Sequence, residues 1–185
     1  MKVKGTVLSS SLSFVKENFS NRYKDWLNGL PVKSREILAN PIMASEWYDV
    51  EDGLIEPTRS VAMMFYNGDV SKAAWEMGRH SAEVGLTGIY KVFVLIATPQ
   101  FMIKRGGKIL SSFYQPSVLS TGNERPKGVD VVIAEFGRSS EITECRIGGW
   151  MEKALEICRV KNISVDKRKS LARGDDQTIY VVNWE

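Results

Sequence analysis

Around Pro116 the hydrophobic pattern of this 185-residue chain changes period. From Asp52 to about Ser111 apolar residues recur at helical spacing: Thr58, Val61 and Phe65 share one face, as do Val70, Ala73, Ala74, Met77, Ser81 and Val84. Beyond Pro116 short β-branched runs take over, Gln115–Thr121 and Val129–Phe136, with Gly122–Gly128 expected as the turn between them. A helix follows from about Glu144 to Val160, turning Ile147, Met151, Ala154, Leu155 and Cys158 inward. Strands over Ile163–Lys169 and Gln177–Trp184 close the chain, joined by the turn Arg173-Gly174-Asp175-Asp176. The order predicts an α+β fold, with a helical N-terminal half (1–114) packed on a small C-terminal antiparallel sheet (115–185) arranged strand-strand-helix-strand-strand. The length suits one domain spanning 1–185.

Punctuation sharpens the helical half. Val3-Gly5-Val7 reads as a short strand, and Ser11 or Ser13 is expected to cap a helix running to Leu27. Pro31 forbids continuation past Asn28-Gly29, and a short helix is expected from Val32 to Ala39. Trp47 and Tyr48 fall in a loop or helix start. Asp69 is a good cap for the helix after it, and Gly85 and Gly88 allow a turn before Ile89, Val92, Phe93 and Ile96. Thr98 caps a further helix with Pro99 in its first turn, and Gly106-Gly107 interrupts it.

Composition removes several chemistries. One histidine, His80, cannot build a two-histidine metal site within the chain, and Cys145 and Cys158 are too few for a zinc knuckle. Nucleophile-elbow, phosphate-loop and dinucleotide fingerprints are missing; Gly106-Gly107-Lys108 is only a fragment. The net charge of +3 is spread, and its densest run, Lys167-Arg168-Lys169, reads as a solvated loop, so no nucleic-acid partner is expected. No apolar signal core opens the chain, and the longest apolar run, Val92–Ala97, falls short of the ~20 residues of a bilayer span, so a cytoplasmic protein without a transmembrane segment is expected.

Several segments resemble a bacterial family first described as Myxococcus paralogues of unknown function. That family is related to 4-vinyl reductase domains and, more distantly, to haem-nitric-oxide-binding domains and the small core subunits of vesicle-tethering (transport protein particle) complexes. The resembling residues are Lys4-Gly5-Thr6-Val7-Leu8, Ala44-Ser45-Glu46-Trp47-Tyr48, Gly78-Arg79 with Ser81-Ala82-Glu83, and Gly88-Ile89-Tyr90. They continue in Gly149-Trp150-Met151-Glu152-Lys153-Ala154-Leu155-Glu156 and in Ala172-Arg173-Gly174-Asp175 with Trp184. The resemblance implies helices packed on an antiparallel sheet, with haem, an acyl chain or another small ligand held between them.

Two departures shape the functional expectation. Cysteines that flank the final turn in 4-vinyl-reductase-like relatives are Ser170 and Thr178 here, which removes any metal or redox role. The region where haem-binding relatives carry an axial histidine is Thr98-Pro99-Gln100-Phe101-Met102, without one, and the Tyr-x-Ser-x-Arg motif that holds haem propionates is missing. The expectation is therefore a non-enzymatic sensory or ligand-binding domain with no metal and no cofactor, haem included, for a small hydrophobic ligand or lipid. Its candidate pocket residues are Trp47, Tyr48, Trp75, Arg79, Tyr90, Phe113 and Trp150. Arg79 would meet an anionic head group, or else form an ion pair inside the fold. A homodimeric scaffold with a filled core is the alternative, and an enzyme the remotest reading, since fold kinship does not carry chemistry.

Overall fold

The strand β1 (Lys2–Lys4) runs straight into helix α1 (Gly5–Asn18), which therefore starts earlier than its serines suggest. Ser10 and Ser11 donate their hydroxyls to Val7 O, and Ser13 to Ser10 O, so all three serve the helix interior and none caps its end. The computed structural model describes residues 1–86, 98–137 and 139–185. α1 stops at Asn18; a 3₁₀ turn (Ser20–Arg22) and a separate α2 (Tyr23–Gly29) replace the continuous helix to Leu27. α3 (Val32–Ala39) lies where the sequence places it after Pro31.

Trp47 and Tyr48 form strand β2 (Trp47–Asp49), neither loop nor helix. β2 pairs antiparallel with β1, and β1 with β3 (Tyr114–Gln115), giving a three-stranded sheet that sequence reading did not foresee. Strands this short carry too few residues to show alternation; Val3, Tyr48 and Tyr114 are aligned only by the register.

A π-helical turn (Glu51–Ile55) leads into α4 (Glu56–Phe65). Pro57, in the first turn of α4, has no N–H to return to the preceding carbonyls, which accounts for the wide turn before it. α5 (Val70–Leu86) starts where Lys72 N donates to Asp69 Oδ1 at 2.9 Å, as the capping signal predicts. The expected continuation over Gly88, Ile89, Val92, Phe93 and Ile96 lies outside the described residues. α6 (Pro99–Lys104) is capped by Thr98, and α7 (Gly106–Phe113) follows after the break at Gly106.

The second sheet has the order β4-β5-β7-β6, antiparallel throughout: β4 (Val118–Arg125), β5 (Gly128–Glu135), β6 (Ser164–Lys169) and β7 (Thr178–Asn183). β4 runs through much of the expected turn, held by Asn123 and Arg125 donating to Asp130. α8 (Glu141–Ile157) sits between β5 and β6 in the chain. It starts three residues before Glu144 because Ser140 and Thr143 form a reciprocal cap. Val129, Val131, Ile133, Tyr180 and Val182 make the inner sheet face, and Tyr180 donates its hydroxyl to Glu144 O at 2.7 Å, locking α8 on that face.

On its other side α8 crosses α5 at very close range. A methyl group at Gly78 would collide with the Arg146 carbonyl, and one at Gly149 with the Trp75 carbonyl. α8 is thus enclosed on both sides: Ile142 through Gly149 are all buried. Among the described residues no helix is long and apolar enough to cross a membrane.

Candidate functional site

Enclosure of α8 puts two opposite charges inside the molecule, two residues apart. At ~100° per residue they point in nearly opposite directions, Glu144 to the sheet and Arg146 to the helical half.

Arg146 is 2% exposed. Its guanidinium donates to Thr58 Oγ1 on α4 (3.2 Å), Ser11 Oγ on α1 (3.1 Å) and Ser81 Oγ on α5 (3.2 Å). Each of the three aliphatic hydroxyls gives its own proton to the carbonyl one helical turn back: Thr58 to Leu54 O, Ser11 to Val7 O, Ser81 to Met77 O. Three helices therefore turn lone pairs inward, a lining built for a cation. Burial pushes the guanidinium pKa down and Tyr114 pulls it back; arginine stays charged under either influence. No carboxylate among the described residues is placed to pair with it.

Beside this cage Ser81 Oγ lies 2.6 Å from Ser10 Oγ, and the adjacent His80 Nε2 lies 2.7 Å from Ser13 Oγ. The His80 ring is half-buried, with Phe14 edge-on at 5.5 Å, and burial lowers its pKa.

Glu144, 1% exposed, is the opposite case. It accepts from Ser170 Oγ (2.6 Å), Thr178 Oγ1 (2.7 Å), Lys167 Nζ (2.9 Å), Ala172 N and Ser139 Oγ (both 3.1 Å). Burial raises its pKa, but the donors from Ser170, Thr178, Lys167 and Ala172 outweigh that and hold it below the usual range. Lys167 is therefore no solvated loop residue: it lies in β6 and its ammonium reaches the buried carboxylate.

The six expected pocket residues that the structure describes are spread over β2, α5, α7 and α8. Trp75 and Arg79 meet on α5, where both donate to Glu152 of α8 and Arg79 also to Glu156 at 2.9 Å. The fold thus supplies Arg79 with carboxylates of its own. Trp47 lies under the Lys4 ammonium at 4.2 Å on β2, and the Tyr48 hydroxyl accepts from Met43 N. Phe113 ends α7, and Trp150 is half-buried on α8. Tyr90 lies outside the described residues. A shallow groove of about 390 Å³ runs beside Ser71, Lys72, Trp75, Glu76 and Cys145.

Arg146 and Glu144 escaped sequence reading because each looks like the solvent side of an amphipathic helix. The available signal was Gly148-Gly149, a pair that marks a helix approached closely on its second face.

Three comparisons bear on this architecture. No family model matches the chain, and no curated protein does. Solved structures match over nearly its whole length. The unliganded Fe(II) H-NOX protein from K. algicida aligns with TM-score 0.73 at 11% identity, covering 98% of this chain and 96% of that one. The Fe(II)NO form from S. oneidensis gives 0.74 at 12% identity, with 98% and 99% covered. An oxygen-binding H-NOX domain related to soluble guanylate cyclases, in its oxygen complex, gives 0.71 at 12% identity, with 98% and 95% covered.

The chain has the H-NOX fold. The haem-nitric-oxide-binding part of the sequence resemblance and the α+β layout are both borne out. The expectation of no cofactor is overturned: H-NOX structures sharing this fold hold Fe(II), alone, with NO and as an oxygen complex. That expectation read a missing histidine from a sequence register over 98–102. At 11–12% identity, register does not settle which position faces a ligand, and residues 87–97 lie outside the described part. Among the described residues the donors do not fit an iron centre by themselves. The His80 Nε2 is engaged by Ser13, and no three His, Cys, Asp or Glu side chains converge.

Proposed function

We propose that residues 1–185 form a sensory domain of H-NOX fold that binds a small molecule between its helical half and its sheet. The observation that carries the reading is the end-to-end match to H-NOX sensors, with at least 95% of each of those chains covered. Their Fe(II), NO-bound and oxygen-bound states make haem with a diatomic gas the first ligand to test, ahead of the lipid or other hydrophobic molecule favoured by the aromatic content. The wider kinship with the Myxococcus paralogues and 4-vinyl reductase domains belongs to the same reading.

The Arg146 cage gives such a domain a rigid centre. It ties α8, which carries the sheet, to α1, α4 and α5, so that a ligand seated at the seam presses on one connected polar body. Tyr48 and Phe113, packed against the core beside β1, and Tyr90 are the pocket residues retained in this proposal.

The test is native mass spectrometry of the purified chain, before and after incubation with haem and with a lipid extract, alongside its visible absorption spectrum. A stoichiometric adduct that is released on denaturation is expected, with a Soret band if that adduct is haem. A chain that stays bare under all three conditions overturns the reading, and a bare chain of twice the mass favours the homodimeric scaffold.

A further inference from the structure

One face of the four-stranded sheet is closed by α8, while the side chains of its outer face stay partly or fully exposed. Strand register sets those outer side chains in two rows running from β4 to β6. One row is Gly122, Asp130, Val181 and Asp166; the next is Ser120, Val132, Ile179 and Lys169. The two central strands are apolar on this side as well as on the other. An antiparallel strand that meets water on one face alternates apolar with polar residues. Unbroken apolar runs such as Val131-Val132-Ile133 on β5 and Ile179-Tyr180-Val181-Val182 on β7 belong instead to strands covered on both faces. The edge strands behave otherwise, presenting Ser120 and Gly122 on β4 and Asp166 and Lys169 on β6. An apolar centre inside a polar rim is the layout of a protein–protein interface.

We infer that the outer sheet face is where two copies of this chain pack, sheet on sheet about a two-fold axis. Its charges select both the occupant and the axis. Asp166 and Lys169 are exposed on the same edge strand, in adjacent rows. An axis lying between the two sheets and running across the strands, midway between the rows, sets Asp166 of each copy on Lys169 of the other. It also sets Val181 on Ile179, so the face is complementary to itself. Val132 then meets Asp130, whose carboxylate is already taken by Asn123 and Arg125. An axis along the strands would match the apolar centre equally well but face both β6 charges with Gly122 and Ser120, so charge decides. Lys169 reaches Asp176 at 3.1 Å, and its ammonium has further hydrogens for a carboxylate of the second copy. Four strands ~4.8 Å apart and about six residues of ~3.3 Å make a face of about 400 Å² per copy. Two such faces fall short of the ~1,200 Å² at which stable interfaces begin, so the pairing is weak and reversible, with a Kd of about 100 µM. The face points away from α8 and from the seam proposed for the ligand, so pairing and ligand binding succeed or fail separately.

Sedimentation equilibrium of the full chain, from about 5 to about 500 µM, reads the pairing directly. The mean mass should rise reversibly from one chain towards two and stop there, because a two-fold face closes on itself. Asp166→Lys and Lys169→Asp each set like charges together at two equivalent places and should weaken the pairing about tenfold. The double variant Asp166→Lys/Lys169→Asp exchanges the two charges and should return to within about twofold of the parent Kd. Ile179→Thr with Val181→Thr keeps the β-branched shape, removes the apolar centre and should leave a single chain throughout. Far-UV circular dichroism confirms that each variant is folded, and the exposed β6 variants carry the test if the central ones are not. A parent chain that stays single at about 500 µM, or grows past two, overturns the inference. So do charge reversals without effect, or a double variant that pairs no better than the single ones.

Discussion

Glu144 and Arg146 are buried equally deeply on one helix, yet the fold treats them differently. Glu144 is met by a cation and four neutral donors, all but Ser139 from the last two strands and the turn between them. Among the described residues Arg146 is met by hydroxyl lone pairs alone, from three helices. The sheet side thus forms a charge-compensated latch, while the helical side forms a solvating cage around an uncompensated charge. A buried ion that is paired and fully hydrogen-bonded costs most when one partner is removed, whereas one without a counter-charge keeps much of its desolvation penalty.

The contrast can be broken by substitution. Glu144→Ala should have the largest effect, about 3–5 kcal/mol, because it orphans the Ser170, Thr178 and Ala172 donors and leaves the Lys167 charge half-stranded. A denaturant midpoint measures it, and a loss below ~1 kcal/mol would mean the latch is not a stabilising unit. Acid titration comes next. The folded pKa of Glu144 is depressed, so its contribution is complete above the ordinary carboxylate value of 4.5 and drains away as pH falls through the folded value. Glu144→Gln should flatten that part of the pH–stability curve.

Arg146→Met should cost less, roughly 1–2 kcal/mol, because it removes a desolvated charge while keeping much of the bulk, and the three hydroxyls stay back-bonded to their helices. Thermal melting decides it: a loss as large as that of Glu144→Ala would show that hydroxyl dipoles compensate a buried charge as well as an ion pair does. Smallest is Arg79→Ala, about 0–1 kcal/mol in the same assay, since its ion pairs lie at the protein surface. If Arg79 also holds a ligand head group, adduct retention in the mass spectrum should fall while the melting curve barely moves.

Long elements were legible in the pattern. The α5 stripe and its Asp69 cap, the break at Gly106, and the closing pair of strands emerge close to where periodicity and capping chemistry put them. What escaped was short or enclosed. β2 and β3 have three and two residues, too few for alternation, and the serines of α1 mimic a cap while serving the helix interior. Lys167 and Arg146 read as surface charges because amphipathic reasoning assumes one solvent face, and α8 has none over its first half.

The sequence by itself determined the division of the chain at Pro116 and the α+β class, because these rest on periodicity and turn chemistry within local windows. Only the tertiary structure decided the polar interior. Ser11, Thr58, Ser81 and Arg146 are spread over 135 positions, and their shared role arises where a close helix crossing denies α8 its water-facing side. There, every polar group must find its partner within the protein.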